Sequence, residues 1–308
     1  MSTVCIVTRT KNREILLARA LDDVLRQTWT DWVHVIVNDG GDPTRVDELV
    51  AARAGRYGGR VIVIHNPVSV GMEAASNIGV RACSSGWIVI HDDDDTWHPT
   101  FLQRCLEEMS RLPPALWGGV ACWSEVIQER IEGGKVVEVS RSLFNGWMRR
   151  VTLLRMAVSN TLPPISFLFR RDIWEELGGF HEGLPVLGDW EFHLRFLELY
   201  RVRLITEPLA YYHHRVSAEG TEYANTVNVS NSRHEEFYDL LVDDWIREGM
   251  ADNRLARAEL VMLSKLWDSL GRAEQASVDA HAQVVNLRTT LSNIPVIGRI
   301  ARWASRRR

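Results

Sequence analysis

Trp87-Ile88-Val89-Ile90-His91-Asp92-Asp93-Asp94-Asp95-Thr96-Trp97 runs a short apolar segment straight into four successive carboxylates. The segment Trp87 to Ile90 lacks the polar alternation of a half-exposed strand, so it reads as a strand buried on both faces, as in parallel sheets. Three runs of the same kind precede it, at Val4 to Val7, Val33 to Val37 and Val61 to Ile64. Between the first two, Asn12 to Gln27 places Leu17, Leu21, Val24 and Leu25 on one helical stripe. After the acidic cluster, Pro99 opens a second helix whose stripe is Phe101, Cys105 and Met109, with Leu102 and Leu106 beside it. This order predicts an α/β fold, a mostly parallel sheet flanked by helices.

The middle of the chain is less regular. Turns are marked by Pro113-Pro114, Gly133-Gly134 and Pro163-Pro164, a strand is expected over Ser166 to Phe169, and helical spacing resumes from Asp189 to Tyr200. From about residue 232 the pattern is helical throughout. The 308 residues are 45% hydrophobic and 25% charged, with 12 Trp, 8 Phe and 6 Tyr, which excludes a disordered or collagen-like chain. No apolar stretch reaches the roughly 18 residues that span a bilayer. Cys5, Cys83, Cys105 and Cys122 lie far apart without a Cys-x-x-Cys pair, so neither a zinc site nor a disulfide is expected, and a reducing cytosol fits. The formal charge is -4, yet residues 280–308 hold six Arg and no acid.

Four adjacent carboxylates repel one another unless a cation neutralises them. In an extended segment Asp92 and Asp94 point to one side, giving two hard oxygen ligands at the carboxyl end of a strand, where open α/β sheets bind ligands. Mg2+ or Mn2+ suits such a pair, and a solvated acidic turn is the plainer alternative. Val37-Asn38-Asp39-Gly40-Gly41 runs another strand into an acidic turn, where Asp39 offers hydrogen bonds to a base or ribose or serves the turn alone.

Taken together, these motifs resemble the family 2 inverting glycosyltransferases of GT-A fold. The matching segments are Val7 to Arg13, Val37 to Gly41, Gly71 to Asn77, Asp92 to Asp95, Gly178 to His181 and Gly188 to Arg195, in the family's order and covering about residues 1–215. Lys11 replaces an aromatic, Ser76 an Arg, and Gly188 a Glu. The resemblance implies a GT-A domain over 1–215, with a donor and metal half to about residue 110 and an acceptor half over 111–215. Residues 216–308 are then a helical extension with a basic tail.

The resemblance also implies site residues. Donor contacts fall on Thr8, Arg9, Thr10, Asn12, Asp39, Gly71, Asn77, Asp92 and Asp93. Metal ligands fall on Asp92 and Asp94, with one of His213 and His214 completing the shell and Arg215 meeting a phosphate. Asp189 is the general base, a helix N-cap being its structural alternative. Trp97, Trp147 and Trp190 are available to stack on an acceptor sugar or to pack the core. The expected reaction is transfer of a sugar from a nucleotide-sugar donor to a glycan or lipid-linked acceptor, in cell-surface polysaccharide synthesis. The rival readings are a sugar-phosphate nucleotidyltransferase and an inactive membrane-associated scaffold. The basic tail suggests attachment to an anionic membrane, placing the protein in the cytoplasm or on the inner face of the plasma membrane. A helix over 255–292 suggests a homodimer through Leu260, Leu263 and Leu266 instead. No nucleic-acid partner is expected.

Overall fold

The computed structural model describes residues 3–133, 135–215, 223, 231–252 and 256–293. The chain opens with β1 (Val4–Thr10), α1 (Glu14–Val24), β2 (Trp32–Asp39), α2 (Pro43–Ala51), α3 (Ala54–Tyr57), β3 (Val61–Asn66), α4 (Met72–Arg81) and β4 (Trp87–Ile90). It continues through β5 (Thr96–Trp97), α5 (Phe101–Met109), β6 (Trp117–Glu132), β7 (Lys135–Leu143), α6 (Leu153–Val158), β8 (Phe167–Arg170), α7 (Arg171–Glu176), α8 (Gly188–Leu199) and β9 (Arg201–Arg215). Two long helices, Asn231–Asp252 and Ala256–Asn293, follow.

Among the described residues, nine strands form one sheet in the order β3-β2-β1-β4-β8-β6-β9-β5, with β7 paired to β6. The first four strands are parallel, and β8 runs antiparallel between β4 and β6. The carboxyl ends of β1, β2 and β4 therefore open on one side. Alternation along β1 explains why its sequence shows no polar face. Cys5 and Val7 enter one core layer with Val35, Val37 and Ala75, while Val4 and Ile6 enter the other with Leu17, Leu21 and Phe101. Helix α4 lies so close to β1 that a Cβ on Gly79 would sit 2.4 Å from Val7 Cγ1.

That close approach also brings together Cys5 on β1 and Cys83 just beyond α4, which form a disulfide. The expectation of no disulfide is thus overturned. The pair is 78 residues apart and meets only because α4 folds back over β1, a contact that spacing along the chain does not reveal. Cys105 and Cys122 are free and buried.

The long β6–β7 hairpin was not anticipated from sequence. Strand β7 is exposed along nearly its whole length, so it carries no buried face to imprint a pattern. The two C-terminal helices pack on the α6 and α8 side of the core: Tyr238 stacks on Trp190 at 5.3 Å, Trp245 and Val261 are buried, and Ser264 Oγ donates to Ala157 O at 3.0 Å. Leu266 is exposed beside Met262 and Leu270. The side chains of Leu260 and Leu263, and the basic segment 294–308, lie outside the described residues. Among the described residues no helix is long and apolar enough to cross a membrane.

Candidate active site

Beyond Ile90 the chain turns at once. Asp95 N–H donates to Asp92 O at 3.2 Å, so the four carboxylates occupy a turn and not the extended run assumed for Asp92 and Asp94. Each acid meets its own partner. Arg9, at the end of β1, pairs with Asp92, and Arg13 reaches Asp93 at 3.2 Å and Asp94 at 3.4 Å. Arg215, fully buried at the end of β9, pairs with Asp94 and lies 3.3 Å from Glu129. Asp95 accepts from His213 N–H at 2.8 Å and so ties β9 to the turn.

These neighbours split the acids. Burial, with Asp94 adding, pushes Asp93 up to about 6 despite Arg13. Burial also acts on Asp94, but Arg215 and Arg13 outweigh it and bring that carboxyl down to about 2. Burial and the neighbouring acids hold Asp95 well above the usual carboxylate range. Among the described residues no group of three or more His, Cys, Asp or Glu side chains converges as a ready metal cluster. The donor set still suits a hard cation: carboxylate oxygens dominate, and Asp93 Oδ2 and His214 Nε2 are buried without a hydrogen-bond partner. His213 is differently placed, with Nδ1 2.7 Å from Glu129 Oε2 and Nε2 2.8 Å from Thr96 Oγ1.

A cavity of about 490 Å³ opens at the turn. Arg9, Thr10, Asn12, Asp39, Gly71, Asp92, Asp93, Asp94 and Asp189 all line it. Thr8, Asn77, His213 and His214 are not in its lining. Thr8 is buried against His34 at 2.8 Å. Asn77 clamps the turn after α7, donating to Phe180 O at 2.8 Å and accepting from Phe180 N–H at 3.0 Å. Asp39 lines the cavity but also organises the loop before α4. Burial would raise it, yet hydrogen bonds from Asn66, Val70, Ser69 and Gly71 hold it below the usual carboxylate range. Ser76 bonds back to Met72 O in its own helix. Trp97 and Trp190 are core residues, donating to Ile165 O and Met156 O at 2.6 Å, whereas Trp147 is exposed.

Asp189 lies one residue inside α8, whose N-cap is Leu187 in a left-handed conformation at φ 66°, so it is not the N-cap. Its Oδ1 accepts from Trp190 N–H at 2.8 Å and its Oδ2 from Asn160 Nδ2 at 2.7 Å. The first helical turn favours a negative charge there.

Sequence reasoning missed Glu73. It leaves α4 for the same cavity, is 5% exposed and sits 4.0 Å from Arg9. A Cβ on Gly188 would fall 2.3 Å from Glu73 Cγ and 2.4 Å from Cδ, so Gly188 makes room for this side chain. Burial pushes Glu73 up to about 8; Arg9 opposes this, and Asp189 and Asp92 add to it. Its proton is retained on folding between its unfolded value of 4.5 and about 8. The stability gained from that proton is full below the unfolded value and is lost as pH rises through about 8. Glu73→Gln should therefore raise the melting temperature more at pH 8.5 than at pH 5, as scanning calorimetry can check. An increment that does not change with pH would contradict the assignment.

Comparisons with known proteins bear on the family and the fold. The sequence model of Glycosyl transferase family 2 matches residues 5–178, more than half of the chain. The uncharacterized glycosyltransferase YwdF of Bacillus subtilis is 29% identical over 202 residues, covering 66% of this chain and 70% of its own length. The putative colanic acid biosynthesis glycosyl transferase WcaA of Escherichia coli is 31% identical over 109 residues, 35% of this chain and 38% of its own. Among solved structures, the mannosyltransferase PcManGT from Pyrobaculum calidifontis, in complex with GDP-Man and Mn2+, has a similar fold. Its TM-score is 0.59 at 15% identity, over 96% of this chain and 82% of that one.

Proposed function

The chain belongs to glycosyl transferase family 2 and is a glycosyltransferase with the GT-A arrangement of its sheet, and on that premise we propose that it is a metal-dependent, inverting enzyme. It moves a sugar from a nucleotide-sugar donor to a hydroxyl of a glycan or lipid-linked acceptor. The observation that carries the reading is that Asp189 and the acidic turn Asp92 to Asp94 line one cavity. Inverting transfer has two needs, relief of charge on the leaving diphosphate and removal of the acceptor's proton, and these two groups answer them separately.

Asp92 and Asp94 would hold Mn2+ or Mg2+, with Asp93 and His214 the nearby unsatisfied donors. When bound, such a cation neutralises charge developing on the departing diphosphate. Arg9 and Arg13 line the same cavity, and their planar forks suit diphosphate oxygens. Asp189 accepts the proton as the acceptor oxygen bonds the anomeric carbon and the carbon–phosphate-oxygen bond breaks. A single displacement of this kind inverts the anomeric centre.

The nucleotidyltransferase reading has no support in the family match, and the meeting of Asp189 with the acidic turn speaks against an inactive scaffold. The name of WcaA supports a role in surface polysaccharide synthesis. We take residues 1–215 as the transferase domain and 216–308 as its extension. The six Arg after residue 279 are assigned to an anionic membrane surface on the cytoplasmic side.

A thermal-shift panel of UDP-, GDP-, dTDP- and CMP-linked sugars, with and without Mn2+, tests the reading. The correct donor at about 100 times its dissociation constant stabilises by about 2.7 kcal/mol, a shift of roughly 4 °C, in the presence of metal. EDTA and Asp94→Ala should each abolish that shift. An equal shift with and without metal would remove the cation from the account.

A further inference from the structure

We propose that Asn160 is a positioning residue, holding the carboxylate of Asp189 at the angle from which it receives the acceptor's proton; this rests on the reading of Asp189 as the base. Asn160 follows α6 on a short loop. Its Nδ2 donates to Asp189 Oδ2 at 2.7 Å, across 29 residues of sequence. Its Oδ1 accepts from Leu162 N–H at 3.3 Å and lies 3.3 Å from His193 Nδ1. These partners fix which way the amide faces, since a carboxylate only accepts and a backbone N–H only donates.

Buried groups back the clamp. His193 stands one turn after Asp189 on α8, 3% exposed, with its ring edge-on to Phe167 at 5.2 Å. Burial, against a smaller opposing effect of Asp189, brings that imidazole down to about 4, so it is neutral and donates to Asn160 Oδ1 without adding charge. The α6 segment that carries the loop is fixed in turn by Trp190 Nε1 on Met156 O and by Ser264 Oγ on Ala157 O. The C-terminal helix thus reaches the site through α6 and Asn160.

The chemistry explains why a second arm is needed. The bond from Trp190 N–H is local to the helix and restrains only one oxygen. With Oδ2 also held, the remaining lone pairs have one direction. A misplacement of about 1 Å at a reacting group costs on the order of 100-fold in rate. Asn160 itself exchanges no proton.

The discriminating variant is Asn160→Asp. It keeps the shape and the Oδ1 acceptor that Leu162 and His193 use, but sets an oxygen against the carboxylate of Asp189. Turnover is read as release of nucleoside diphosphate from the donor chosen by the thermal-shift panel, with water as acceptor. Asn160→Asp and Asn160→Ala should each lower kcat by at least about 10-fold, the usual size for a supporting partner. Donor KM and melting temperature should stay near wild type. In an Asp189→Asn background the Asn160 change should add less than about 2-fold, because the group it positions is already gone. If Asp189→Asn is itself fully active, the base reading falls and the proposal falls with it. If Asp189→Asn is slow while Asn160→Asp turns over normally, or if the two losses multiply, Asn160 is not a positioning residue. Loss of folding or donor binding in both Asn160 variants would make it a structural strut and equally overturn the proposal.

Discussion

Asp189→Asn is expected to slow sugar transfer by at least about 100-fold while leaving metal-dependent donor binding near wild type. Asn has the same shape as Asp, and its carbonyl oxygen can still accept from Asn160 Nδ2 or from Trp190 N–H, the two bonds that hold Asp189 now. What it cannot do is take a proton from an acceptor hydroxyl. The donor and metal groups sit on other segments, with Asp92, Asp93 and Asp94 after β4 and Arg9 and Arg13 at the end of β1 and just beyond it. Binding and chemistry should therefore separate. Because Asp189 is not the N-cap, loss of capping offers no alternative route to a slow enzyme. Single-turnover kinetics under saturating donor check the rate, and calorimetry checks the binding. An Asn variant that transfers at wild-type speed would move the base elsewhere, Glu191 being the first residue to examine. That residue is already engaged by Arg195, at 2.6 Å and 2.7 Å, which makes it a poor substitute.

Those parts of the site that belong to one strand end and the turn after it were legible in the sequence. The runs before Thr8, Asn38 and His91 are apolar because β1, β2 and β4 are buried on both faces, and that pattern places Arg9, Asp39 and Asp92 at one edge of the sheet. What was hidden depends on which strands lie side by side. Arg215 meets Asp94 across 121 residues because β9 and the acidic turn are tied together through β5, and no local pattern marks that neighbour. Of the guanidiniums that neutralise the carboxylates, the sequence offers Arg9 only as a donor contact and Arg215 only as a phosphate partner, and it gives Arg13 no role. Glu73 was hidden for a similar reason: on α4 it reads as an ordinary acid in a first helical turn, until the packing of α4 against the start of α8 turns it into the cavity. The disulfide follows the same logic, since Cys83 reaches Cys5 only through the return of α4 over β1. The resemblance offers either His213 or His214 as a ligand, and what sequence does not supply is Glu129, which lies 2.7 Å from His213 Nδ1.

Gly188→Glu, which supplies the acid that the family resemblance leads one to expect at this place, is expected to damage the enzyme as heavily as loss of the base does. The first side-chain carbon at this position would lie 2.3 to 2.7 Å from Glu73 Cγ, Cδ and Oε1, inside any real contact distance. Glu73 is buried and faces Arg9 at 4.0 Å, so the space into which it can swing is the cavity that the site itself uses. Two carboxyls would then compete for one position beside Asp189, adding charge repulsion to overpacking of about 1–3 kcal/mol. The backbone that must shift is the first turn of α8, which carries Asp189. A displacement there of about 1 Å lowers turnover by on the order of 100-fold. Gly188→Ala brings the same Cβ without the extra charge and should give a smaller loss. The decisive comparison is Glu73→Ala combined with Gly188→Glu, which removes the carboxyl from α4 and supplies one from α8. If this cavity needs one carboxyl beside Asp189 and is indifferent to which helix provides it, the double variant should recover at least about 10-fold over Gly188→Glu alone, and the coupling between the two sites should be large. Losses that multiply in the double variant would mean that Gly188 is required by the backbone itself and that Glu73 only happens to lie against it.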